Sequence, residues 1–121
     1  MKKVTKLLSL LIVTILFTGF ASTAQTKKTT EMNTYVIERN IPGAGQFSKE
    51  KLKDISKTSD SVLKEMGPGI EWLHSYVTDD KIICVYKAEN IDLLKEHAKK
   101  GGFPITAIYK VDNVISPATG K

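Results

Sequence analysis

The chain predicts an α+β domain that runs strand, helix, strand, strand, helix, strand. Three observations carry this. Two stretches, Ser48 to Met66 and Asn90 to Lys100, place apolar residues at helical spacing. Runs rich in β-branched and aromatic residues stand before, between and after them, and the middle run is split by the polar tetrad Thr78-Asp79-Asp80-Lys81. Glycine closes each helical stretch, at Gly67-Pro68 and at Gly101-Gly102.

The chain has 121 residues, enough for one domain, with 41% hydrophobic and 26% charged residues. Met1 to Ala24 has the pattern of a secretory signal peptide, with an uncleaved membrane anchor as the alternative. Lys2, Lys3 and Lys6 precede the apolar run Leu7 to Phe17, and Ala21-Ser22-Thr23-Ala24 offers small residues for cleavage before Gln25. Residues 25–33 then read as a flexible leader, 34–117 as the domain and 118–121 as a tail. This predicts a periplasmic or secreted protein with no membrane attachment after cleavage. Removing the segment takes away three lysines and no acid, leaving 15 basic against 13 acidic residues, a net charge of +2. That balance, without interleaved aromatic and basic residues, excludes a nucleic-acid-binding reading.

Each element has a local cause. Thr34 to Arg39 (TYVIER) is a strand by its β-branched and aromatic content. Ile41-Pro42-Gly43-Ala44-Gly45 breaks regular structure, and it lacks the Lys-Ser/Thr pair and third glycine that a phosphate loop needs. Ser48 suits the N-cap of the first helix, with Phe47 and Leu52 as a hydrophobic staple. Leu52, Ile55, Ser59, Val62 and Met66 form its inner stripe. Ile70 to Asn90 reads as a β-hairpin about Asp79-Asp80, because Asp tolerates the left-handed backbone of short hairpin turns. In that register Tyr76 faces Ile83, His74 faces Val85 and Trp72 faces Lys87. Alternation then puts Trp72, His74, Tyr76, Ile83 and Val85 on one side. Leu73, Ser75, Val77, Ile82, Cys84 and Tyr86 take the other. Asn90 caps the second helix, whose stripe is Ile91, Leu94 and Ala98. Ile105 to Ile115 forms the last strand, with Ile105, Ala107, Tyr109 and Val111 on one face.

This order is the split βαβ, or ferredoxin-like, pattern. Right-handed crossovers place both helices on one face of a four-stranded, mostly antiparallel sheet. The face of Trp72, His74 and Tyr76 is left bare, a larger apolar patch than a monomer usually exposes. A homodimer packed through that face is the expected solution.

Several dispersed segments resemble one family. They are Tyr35-Val36-Ile37-Glu38-Arg39, Trp72-Leu73-His74-Ser75-Tyr76-Val77, Asp80-Lys81, Cys84-Val85-Tyr86, Glu96-His97-Ala98 and Gly102-Phe103-Pro104. Together they resemble the small bacterial nickel-binding-type proteins, formerly classed as a domain of unknown function. The resemblance runs from Tyr35 to Pro117 and implies a ferredoxin-like fold, a homodimer and nickel binding. The signal segment departs from the many relatives that look cytoplasmic.

Chemistry narrows the ligands for nickel or another divalent transition metal to imidazole, thiolate and carboxylate. The chain has His74, His97 and a lone Cys84, and no two of them stand at a tight metal-binding spacing. A site must be assembled by the fold or by a dimer. His74 lies on the predicted interface, as a ligand with Glu38 or as an interface hydrogen-bonding group. His97 reads as a ligand within reach of Cys84 and Tyr86, or as a last-turn histidine bonding backbone carbonyls. Cys84 reads as a ligand or as a small buried hydrophobe. No nucleophile-base-orienter set is specified by spacing. Two alternatives to metal binding are a small cofactor-free enzyme with a pocket between sheet and helices, and a binding module without metal.

Overall fold

The computed structural model describes residues 31–121. The signal segment at 1–24, and the leader up to residue 30, lie outside the described residues. Among the described residues no helix is long and apolar enough to cross a membrane.

The elements follow the predicted order: β1 (Asn33–Asn40), α1 (Lys49–Met66), β2 (Ile70–Val77), β3 (Lys81–Ala88), α2 (Ile91–Gly101) and β4 (Ala107–Lys110). Both helix starts are capped as read. Ser48 accepts from the Lys51 backbone N–H and Asn90 from that of Leu93, satisfying amides that have no partner inside the helix. Gly67, at a φ of 87° that side-chain-bearing residues avoid, ends α1 and donates its N–H to Leu63.

The sheet order is β2-β3-β1-β4, and all three pairings are antiparallel. This is the ferredoxin-like arrangement. One face of β1 and β3 is sealed by the helices: Tyr35, Ile37, Arg39, Ile82, Cys84, Tyr86 and Ala88 are all buried there. Leu94 and Ala98 of α2 and Val62 of α1 close the core from above.

Four local readings are corrected. The hairpin turn is closed by the Thr78 N–H to Lys81 carbonyl bond of 2.8 Å, but neither Asp79 nor Asp80 is left-handed. The segment after β1 is not wholly irregular, since Ala44–Gln46 forms a 3-10 turn docked on the hairpin. Gly45 donates to the Asp79 carbonyl at 3.0 Å, and a Cβ on Gly45 would lie 2.9 Å from Asp79 Cα, so only glycine fits that approach. The last strand stops at Lys110 instead of Ile115, because β1 begins at Asn33 and the final bond, Val111 N–H to Thr34, exhausts its partner. In α2 the buried positions are Leu94, His97 and Ala98, while Ile91 is 39% exposed.

The largest correction lies in β2. The register with β3 shifts between Trp72 and His74, so Trp72 pairs with Tyr86, not Lys87. Leu73 is the extra residue of a β-bulge and is exposed rather than turned to the helices. The bulge flips Trp72 onto the helix-covered side, where its indole donates to Ser75 Oγ at 2.9 Å. Trp72 therefore leaves the bare face to which alternation assigned it.

Candidate functional site

The bare face can be read row by row from the register. One row across β2, β3, β1 and β4 is His74, Val85, Val36 and Tyr109. The next is Tyr76, Ile83, Glu38 and Ala107. Before the first row come Glu71, Lys87 and Thr34. Valines and isoleucine form the centre, aromatic rings stand at its two edges, and charge lies at Glu71 and Lys87 and at Glu38 within the second row. Tyr76 and Tyr109 are 60% and 54% exposed, and the His74 ring stands edge-on to Tyr76 at 5.0 Å.

The bulge also gathers ligands. In an unbroken strand, residues three apart point to opposite faces. Here Glu71 is opposite Lys87 and His74 is opposite Val85, so the carboxylate and the imidazole occupy neighbouring positions on one face. Sequence reasoning missed Glu71, because nothing in composition announces a bulge. Glu38 shares the face, but β3 lies between it and His74. Two strand spacings and two residues of offset separate them by roughly 12 Å. Glu38 instead pairs with Lys81. The expected partnership of His74 with Glu38 does not form within one chain.

His97 and Cys84 lie on the other side of the sheet, among the helices. His97 is fully buried. Its Nε2 shares a hydrogen bond with Ser59 Oγ at 3.2 Å, its ring stacks on Phe103 at 5.5 Å and meets Tyr86 edge-on at 5.4 Å. Among the described residues it bonds no helix-end carbonyl as a capping histidine would, and its Nδ1 has no partner. Burial holds the imidazole pKa below its ordinary value. The Ser59 bond opposes this and the Arg39 charge adds to it.

Cys84 is buried, and its Sγ accepts from Arg39 Nε at 3.4 Å. Arg39 is only 3% exposed, bonds the Pro104 carbonyl through Nη1 at 2.7 Å and stands 5.4 Å from the Phe103 ring. Burial pushes the Tyr86 hydroxyl pKa up, with Cys84 adding to the rise and Arg39 and Ser59 opposing it. The Arg39 guanidinium beside Cys84 opposes a second positive charge there, such as a divalent cation. Among the described residues no three histidine, cysteine or acidic side chains converge. His74, His97, Cys84 and Glu38 are thus split between the two faces, and the register sets Glu71 beside His74.

Between α1 and the helix-covered side of the sheet lies a cleft of about 470 Å³. Its lining includes Arg39, Trp72, Cys84, Tyr86 and Phe103. Arg39 was legible in principle, because strand alternation puts it in phase with Tyr35 and Ile37 on the covered side.

The crystal structure of SCO4226 from Streptomyces coelicolor A3(2) superposes on this fold with a TM-score of 0.58 at 10% identity, covering 68% of this chain and 99% of that one. No curated protein matches the sequence. The family model described as nickel responsive protein SCO4226-like matches residues 35–111, from β1 through β4. The chain belongs to the SCO4226-like family of nickel responsive proteins.

Proposed function

We propose that this protein is an exported homodimer that binds a divalent transition metal, nickel or a close neighbour, at the bare sheet face. The observation that carries the reading is the bulge that sets Glu71 beside His74 on an exposed, apolar-centred surface. One chain supplies two donors there. A second copy packed on the same face supplies the same two, and four nitrogen and oxygen donors suit nickel, copper or zinc. The face has features of an interface, with valines and isoleucine at its centre and aromatic rings beside them. The metal, when bound, supplies a Lewis-acidic centre and a cross-link between copies. The residues of this chain supply its affinity and its response to pH, since protons compete for imidazole. The family description supports nickel, and the N-terminal sequence pattern supports export.

Calorimetry with nickel on wild type, His74→Ala and His97→Phe tests this. We expect heat in wild type and His97→Phe, and none in His74→Ala. Three indistinguishable titrations, or a loss confined to His97→Phe, would overturn the assignment.

A further inference from the structure

We propose that the cleft between α1 and the sheet binds a small organic carboxylate with an apolar or aromatic body, its charge taken by Arg39. This site lies on the opposite face of the sheet from His74 and is independent of the metal reading.

The first ground is an unanswered charge. Arg39 is 97% buried, and its Nη2 has no hydrogen-bond partner among the described residues. The chain's 13 acidic residues all lie within 31–121, and the acids that form ion pairs, Glu38, Asp60, Glu65 and Glu96, pair with lysines. Asp54 and Lys51 stand at exposed positions on the cleft wall. Arg39's own bonds go to the Cys84 sulfur and the Pro104 carbonyl, and among the described residues no carboxylate bonds it. Burying an ion without a counter-ion is costly, and supplying an anion offsets that cost. A guanidinium edge matches a carboxylate, which accepts parallel N–H bonds from it. One buried cation calls for one negative charge.

The second ground is shape. About 470 Å³ falls within the range of small-molecule sites, which are mostly apolar with a few placed polar groups. Phe47, Leu52, Ile55, Trp72, Ile82 and Phe103 make the apolar wall here. Those side chains fit the hydrocarbon or ring of a ligand, while Arg39 and the neighbouring Tyr86 hydroxyl fit its head.

The test is calorimetric titration of the purified protein with 3-phenylpropionate and with its uncharged amide, followed in parallel by the NMR signal of the Trp72 indole. We expect one acid per chain, bound about tenfold or more tightly than the amide, from a hydrogen bond to a charged group. Arg39→Met should abolish that preference, and Ser56→Phe, which fills the cleft from α1, should abolish binding of both. The indole signal should shift with the acid in wild type. Equal affinity for acid and amide, an unmoved indole signal, or an unchanged acid preference in Arg39→Met would overturn the proposal. Should Arg39→Met fail to fold, undiminished acid binding in Ser56→Phe would overturn it equally.

Discussion

Replacing Ser59 with alanine isolates one buried hydrogen bond. His97 is fully buried, with Nδ1 already lacking a partner and Nε2 held only by Ser59. Ser59→Ala leaves both ring nitrogens unsatisfied, at a cost of about 1–3 kcal/mol. Each kcal/mol lowers Tm by about 4–8 °C in a domain of this size. His97→Phe keeps an aromatic ring between Tyr86 and Phe103 while removing both nitrogens. In that background Ser59→Ala should cost about 0.5 kcal/mol or less, so the two changes are strongly non-additive. Urea unfolding of the four proteins measures the coupling. Equal costs for Ser59→Ala in both backgrounds would refute the role given to this bond. The same pair governs acid stability. The folded pKa of His97 is depressed, so between that value and the unfolded value of about 6.5 the unfolded chain binds more protons. Its stabilisation is therefore complete above about 6.5 and is lost as pH falls toward the folded value.

His97→Phe should flatten that acid-side loss, and a slope unchanged from wild type would assign it to other groups. Gly45→Ala should destabilise by about 1–3 kcal/mol, because the new Cβ meets the backbone of Asp79, and thermal melts would show it. Tyr76→Glu should yield monomer by placing a charge within the apolar face, whereas Trp72→Glu should disturb folding, since Trp72 packs against the core. Sedimentation and circular dichroism separate the two. Copper should bind more tightly than nickel at the His74 site, and competition calorimetry would reveal a reversed order. Protein recovered from its host should begin near Gln25, and a sequenced N-terminus at Met1 would refute export by cleavage.

The helices were readable because their ends carry local chemistry. Ser48 and Asn90 cap, Gly67 and Gly102 stop, and these signals act within a turn or two of chain. The β1–β3 face that meets the helices was readable by alternation. The β2 bulge was not, since an inserted residue leaves a run such as Ile70 to Val77 equally apolar in either register. That single residue decided which face holds Trp72 and which acid neighbours His74. Val114 and Ile115 have strand propensity yet are 79% and 83% exposed, because a strand needs a partner and β1 has already ended. Arg39 sits in the buried phase of β1, in step with Tyr35 and Ile37.

Sedimentation with and without nickel, joined to metal content per chain, tests the shared His74 site most directly. We expect a dimer holding one nickel per two chains in wild type, with the metal lost in His74→Ala. A monomer carrying one nickel per chain, or metal retained in full by His74→Ala, would contradict a site built between two copies.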